Sequence, residues 1–298
     1  MCERYTLYAA NLDHTHWALR GRPFLDEPVG FERPIRARYN IAPGAAVPIV
    51  IRRRDQRPML VKARWGLVPR TSPTPSTDLS THTARSDKVA VSRLYGGPLR
   101  RARCLVPASG WYGFKNLAKH GGRDGLQAYY VQPRGAGEIC FAGLWERWSG
   151  PGAAAFDSFS IITVPQNGLL DYVCPRMPAV LEPERYLGWL DPAQRNLGAI
   201  LAMLQAPPAA DFEVRQVTDR VNDLRHDDEG LIRPVTWGEH SEEERWALAM
   251  DYTEDELRQA LAKVQMSPLW RSMIEDITPR DLLRIARALE RNVPKRPA

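Results

Sequence analysis

The residue with the most distinctive chemistry in this chain stands at position 2. Cys2 follows Met1, and a small second side chain is what lets an initiator methionine be trimmed. Trimming would leave an α-amine and a thiol on adjacent carbons. The amine has a reference pKa of about 7.7–8.0 and the thiol about 8.5, so both are partly nucleophilic near neutrality. An aldehyde would meet the amine as a Schiff base, and the thiol would then close a thiazolidine ring. An internal cysteine has no free amine and cannot do this. Taken alone, Cys2 also suits an ordinary small residue at a chain start.

Three short segments mix arginine with other groups able to meet a nucleic acid. Arg64-Trp65-Gly66-Leu67-Val68-Pro69 sets an indole beside a guanidinium at a strand end. Thr83-Ala84-Arg85-Ser86 adds a second arginine and two hydroxyls. Cys174-Pro175-Arg176-Met177-Pro178 fixes a third arginine between prolines, which restrict the backbone. A guanidinium meets phosphate through a planar fork, and an indole offers a face to an unstacked base. Any one segment would equally suit a surface arginine near a core tryptophan.

Other chemistries find little support. His14 and His16 would share one face of a strand, yet no cysteine or carboxylate set accompanies them at metal-ligand spacing, so no metal site is expected. His82 and His120 fall in loop-like sequence and read as solvated side chains. Gly121 to Gly125 reads as a hairpin turn. No Walker loop, dinucleotide fingerprint or nucleophile elbow occurs, so no cofactor is expected. Four cysteines without C-x-x-C spacing read as thiols in a reducing compartment.

The elements that must position these groups follow from composition and pattern. The 298 residues are 44% hydrophobic and 26% charged, enough for an ordinary globular core. Apolar runs such as Leu197 to Leu204 fall far short of the ~20 residues that span a bilayer. The opening residues lack a secretory layout, so a cytoplasmic protein without membrane contact is expected. The net charge of +6 permits a polyanionic partner without requiring one. Residues after Ser241 are near charge balance, so the surplus belongs to the first 240.

Strands are predicted at Val47–Ile51, Met59–Trp65, Arg101–Val106, Gln127–Gln132, Glu138–Leu144, Ser158–Val164 and Phe212–Val217. Each is short, rich in β-branched and aromatic residues, and bounded by turn formers. Helical patterning is limited to Pro183–Leu190 and Ala193–Leu204. Strands cluster instead of alternating with helices, which predicts a β-rich α+β fold. After Trp237 the texture changes. Ser241, Thr253 and Thr278 each precede a carboxylate by three residues, the spacing of a capping box. Residues 1–237 are therefore read as one domain and 238–298 as a C-terminal helical extension.

In combination, these segments resemble the SOS-response-associated peptidase (SRAP) family, the abasic-site processing proteins. The matching pieces are Met1-Cys2-x-Arg4-Tyr5, Arg38 to Pro43, Arg64 to Pro69, Ala84-Arg85-Ser86, Arg103 to Ala108, Phe141 to Glu146 and Arg176-Met177-Pro178. They occur in the family's order across about residues 1–237. The resemblance implies a barrel-like β core with flanking helices and a basic groove for single-stranded DNA. It implies that Cys2 captures the ring-opened aldehyde of an abasic site as a thiazolidine crosslink. It also implies that Arg4, Trp65, Arg85 and Arg176 line the DNA path. Peptidase activity in the family means removal of residues ahead of the cysteine.

The chain departs from the family where protons would move. Thr83 stands where members carry Asn, Gly113 where they carry Glu, and Cys174 where they carry His. Glu3 and Tyr5 replace the Gly and Phe that flank Arg4. A positioned acid or base is typically worth 10²–10⁴-fold in rate. The expected catalytic set is thus Cys2 with Thr83 and Cys174. Three readings follow. One is a divergent SRAP protein that captures abasic single-stranded DNA slowly. The second is a cysteine-dependent enzyme, using Cys2 with or without Cys174, on a small molecule or peptide. The third is a non-catalytic DNA-binding module. The sequence leaves the oligomeric state open.

Overall fold

The computed structural model describes residues 3–8, 26–29, 36–53, 57–76, 79–116, 126–135, 137–168 and 173–235. The chain divides into a unit over Met1–Arg233 and a second over Pro234–Ala298. Cys2, His14, His16, His120, the turn at 121–125 and the helices expected after residue 241 lie outside the described residues.

Among the described residues fourteen strands appear in chain order. They are β1 (Tyr5–Leu7), β2 (Asp26–Val29), β3 (Arg38–Ile41), β4 (Ala46–Ile51), β5 (Met59–Trp65), β6 (Thr83–Arg85) and β7 (Arg103–Ala108). Then come β8 (Gly110–Asn116), β9 (Leu126–Pro133), β10 (Ile139–Trp148), β11 (Phe156–Pro165), β12 (Arg176–Pro178), β13 (Val180–Leu181) and β14 (Phe212–Gln216). The described helices are short: α1 (Gly96–Arg101), α2 (Tyr186–Leu190) and α3 (Leu197–Ala202), with brief 3₁₀ turns. Among the described residues no helix is long and apolar enough to cross a membrane.

Five strands close a ring in the order β11, β10, β7, β4, β5, and the parallel pairing of β5 with β11 seals it. Every residue of β7 is buried, as are all but one of β10. Strands buried on both faces read as continuous apolar runs, which is how this sequence announced them. Closure leaves no open edge within the ring. A second sheet, in the order β14, β9, β8, β1, β3, carries the chain start. The chain leaves the ring for this sheet between β7 and β8. There a Cβ on Gly110 would sit 2.4 Å from the Val131 carbonyl oxygen, so only glycine fits.

The seven predicted strands all form; Met59–Trp65 matches at both ends, and no other end is shifted by more than four residues. β8 was missed because Gly110 and Gly113 interrupt its pattern. α1 was hidden by Gly96, Gly97 and Pro98, but tertiary contact decides it: Leu99 is fully buried. The helix predicted from Ala193 starts later because the Asn196 side chain accepts from the Ala199 N–H at 3.1 Å, a cap that sets the first turn.

Two of the matching motifs hold the fold. Arg103 is buried, and its guanidinium donates to the carbonyls of Trp189 at 2.6 Å and Leu99 at 2.7 Å. Burial lowers its pKa to about 10. The Asn40 side-chain amide donates to the carbonyls of Val221, Asp223 and His226, at 3.1, 3.3 and 2.9 Å. It stitches β3 to the segment that follows β14.

Candidate functional site

Two of the expected site residues, Arg85 and Arg176, meet around the end of β11. On one edge of that strand lies β6, in parallel register with Arg85 beside Thr163. On the other lies β12, antiparallel, with Arg176 beside Pro165. Register alone brings Arg85 and Arg176 to one rim.

Their guanidiniums converge on a single carboxylate. Arg85 grips Asp87 with two hydrogen bonds, Nε to Oδ1 at 3.1 Å and Nη2 to Oδ2 at 2.7 Å. Arg176 reaches the same carboxylate at 3.3 Å. It is anchored by donating to Thr163, Nε to the hydroxyl at 3.1 Å and Nη2 to the carbonyl at 2.5 Å. The two differ in exposure: the Arg85 side chain is 52% accessible and that of Arg176 only 12%. The hydrogen bonds from Arg85 hold the Asp87 carboxyl down to about 2. Burial pulls the Arg176 guanidinium down while Asp87 pushes it back up.

Cys174 lies two residues before Arg176. Its thiol is 6% accessible, accepts from the Gln166 amide at 3.3 Å and donates to the Arg176 carbonyl at 3.4 Å. It is a buried, hydrogen-bonded sulfur and not an exposed nucleophile. Gly113, midway along β8, is buried opposite Tyr129 and offers no side chain.

Trp65 corrects an expectation. The indole is 1% accessible, so no face is open to a base. Its ring meets Tyr5 edge-on at 5.2 Å and stacks near Phe159 at 6.4 Å. The strand ends there because Gly66 takes a φ of 123°, open to glycine and strained for other residues. The neighbouring Arg64 turns away, donating to the Pro75 carbonyl and lying 4.4 Å over the Phe156 ring. It lines an open cleft of about 740 Å³ near the start of β11, with Arg53, Lys62 and Arg147.

The buried indole positions His82, and here the solvated-loop reading gives way. The Trp65 Nε1–H donates to the His82 carbonyl at 2.8 Å, and the Ile161 N–H donates to the same oxygen at 3.0 Å. The imidazole packs edge-on to the indole at 6.1 Å. Its Nδ1 lies 3.1 Å from the Ser80 hydroxyl. Its Nε2 is buried and has no hydrogen-bond partner among the described residues. Burial lowers the ring's pKa, against an upward pull from Glu3 and with a further push down from Arg4. The ring is therefore neutral at pH 7 and electrostatically coupled to residues 3 and 4.

Thr83 follows directly, half-buried, with its carbonyl accepting from the Tyr95 hydroxyl at 3.1 Å. Arg4 is half-buried at the entry to β1. It donates to the Glu3 carbonyl at 2.8 Å, and burial lowers its pKa. The arrangement thus contains two clusters: Arg85, Asp87 and Arg176 at the end of β11, and His82 with Thr83, Trp65 and the residues after Cys2. The sequence signal for His82 was its place beside Thr83; the signal for Asp87 was two residues beyond Arg85. Among the described residues no cluster of metal-binding side chains occurs.

Comparison with known proteins bears on the family and the fold. A family model described as SOS response associated peptidase (SRAP) matches residues 1–224. The abasic site processing protein YoqW of Bacillus subtilis is 28% identical over 232 residues, covering 78% of this chain and 99% of that protein. The chicken (Gallus gallus) abasic site processing protein HMCES is 26% identical over 231 residues, covering 68% of each. The crystal structure of a Bacteroides thetaiotaomicron protein superposes with a TM-score of 0.67 at 20% identity, over 79% of this chain and all of that one. With a family model covering most of its length, the chain belongs to the SRAP family.

Proposed function

We propose that this protein binds single-stranded DNA carrying abasic sites and captures the lesion aldehyde through Cys2 once Met1 is removed. The relatives named above are abasic site processing proteins. The observation that most supports a DNA role is the convergence of Arg85 and Arg176 on Asp87. A phosphate can compete with that carboxylate for the two guanidiniums, because the Asp87 side chain is 44% accessible and meets them only side chain to side chain. Arg4 and Thr83 are read as further contacts near the lesion, and Trp65 as the wall behind them. Residues 238–298 are read as an appended helical segment, and a reducing cytoplasm as the setting that keeps the Cys2 thiol reactive.

The chemistry balances without a redox step. The Cys2 amine adds to the aldehyde carbon, and the resulting carbinolamine loses water to give an imine. The thiol then adds to the imine carbon and its proton goes to nitrogen. One water leaves overall.

The reading in which Cys174 serves as a second nucleophile is disfavoured by the burial of that sulfur. The deciding experiment incubates the trimmed chain with an abasic single-stranded oligonucleotide and resolves the products on a denaturing gel. A slower band that Cys2→Ala abolishes is the expected result. Absence of that band, or its persistence in Cys2→Ala, overturns the proposal.

A further inference from the structure

We infer that the cleft at the start of β11 is a second phosphate-binding site, apart from the arginine rim, and that it holds the backbone of a nucleic acid strand outside the lesion. The inference rests on the DNA role proposed above for its occupant and on no step at Cys2. Asp157, in the cleft, and Thr163, beside Arg85, stand six residues apart on β11. At the rise of an extended strand that is about 20 Å. The cleft and the rim thus occupy opposite ends of one strand, within reach of a single polyanion.

Charge carries the argument. Four cations line the cleft, Arg53, Lys62, Arg64 and Arg147, against one carboxylate, Asp157. At the rim two guanidiniums share one carboxylate. The cleft's carboxylate is also the better hidden, at 7% accessible. Arg147 covers it, donating through Nη1 to both oxygens at 3.2 and 3.3 Å, and stays 51% accessible itself. Arg64 is oriented by the Pro75 carbonyl and the Phe156 ring, neither of which neutralises it. Arg53 and Lys62 are exposed, and no described carboxylate pairs with either. The Arg53 guanidinium lies 5.9 Å from the centre of the Trp145 ring, whose buried Nε1–H has no acceptor among the described residues.

The kind of cation and the shape of the cleft point to phosphate esters. Guanidinium forks match phosphate oxygens in pairs, and the lysine adds a point charge. Arg64 already covers the Phe156 ring, so the cleft offers charge and no stacking platform. Such a site reads the backbone and ignores the base, which makes it tolerant of sequence and sensitive to salt. Its volume of about 740 Å³ also suits a free nucleotide. A strand is favoured because a second polyanion site lies on the same strand of the ring.

The test compares the wild type with a chain carrying Arg53→Gln and Lys62→Gln together. A control chain carries Arg134→Gln and Arg195→Gln, at exposed positions outside the cleft, and loses the same charge. Affinity for a long, undamaged oligothymidine is read by fluorescence anisotropy across a salt series, and affinity for ATP by calorimetry. The cleft variant is expected to bind the strand roughly tenfold more weakly, with a salt slope smaller by about 1.4, the share of two phosphate contacts. The control should shift by less than about twofold. Equal losses in both chains, or none in either, overturn the inference. ATP binding lost from the cleft variant alone, with strand affinity unchanged, overturns the strand as occupant in favour of a free nucleotide. If the wild type fails to capture abasic DNA while strand affinity still separates the two chains, the reaction at Cys2 is overturned and the cleft stands.

Discussion

Two carboxylates in this protein hold arginines, and they hold them for different ends. Asp227 accepts from the backbone N–H groups of Tyr39 at 2.5 Å and Asn40 at 2.9 Å, and also from the Arg38 guanidinium. Asp87 binds the side chains of Arg85 and Arg176. The first carboxylate ties the main chain of β3 to the segment after β14 and is the less exposed of the two, 22% accessible against 44%. The second is half-exposed and bonded to flexible groups, so a phosphate can take its place. Both clusters arise in segments the sequence marked as alike, arginine beside a motif residue. What separates them is whether the carboxylate holds the main chain of another segment, as Asp227 does, or reaches other segments only through arginine side chains.

That contrast can be broken most visibly at Asp227. Asp227→Ala removes a charged acceptor from two backbone donors and an arginine. It is expected to cost about 3 kcal/mol of stability, read as a lowered urea midpoint with an unchanged slope. A midpoint equal to wild type would mean the join is not structural.

A smaller effect, of opposite sign for binding, is expected at Asp87. Asp87→Asn leaves both guanidiniums in place but removes the competing charge. Undamaged single-stranded DNA should bind roughly threefold tighter, and the affinity should fall more steeply with salt. Stability should barely change, since exposed ion pairs contribute little. Weaker binding would show that Asp87 positions the arginines for DNA instead of competing with it.

The smallest effect is in pH. Arg85 depresses the Asp87 carboxyl from its usual 3.8 to about 2. A depressed carboxyl contributes stability above its unfolded value, and this is lost as pH falls through about 2. Asp87 should therefore stay ionised at pH 3, followed by its carboxyl carbon signal in NMR. In Arg85→Gln the midpoint should move up towards the ordinary range. An Asp87 that titrates normally in the wild type would show that the pair does not form in solution.

Much of the barrel was legible in advance. Val47 to Ile51 and Ser158 to Val164 are apolar, β-branched runs, and such runs have few alternatives to a buried strand. The strand at Gly110–Asn116 was not legible, because two glycines break its pattern, and Gly110 is dictated by close approach across the sheet and not by local preference. Trp65 was legible as an aromatic beside an arginine, yet not as a core residue. Adjacent side chains on a strand point to opposite faces, so the pair had to divide, one inward and one outward. His82 read as loop because nothing nearby in sequence shows that an indole 17 residues earlier would pin it.

The sequence by itself determined the family, through motifs in a fixed order, and the chemistry available at Cys2, through the types of two adjacent residues. Only the tertiary structure decided which arginines meet. Arg176 and Ser86 are 90 residues apart, and they touch because β6 and β12 flank the same strand. Strand register sums many weak pairings across a sheet, and no local pattern along the chain encodes that sum.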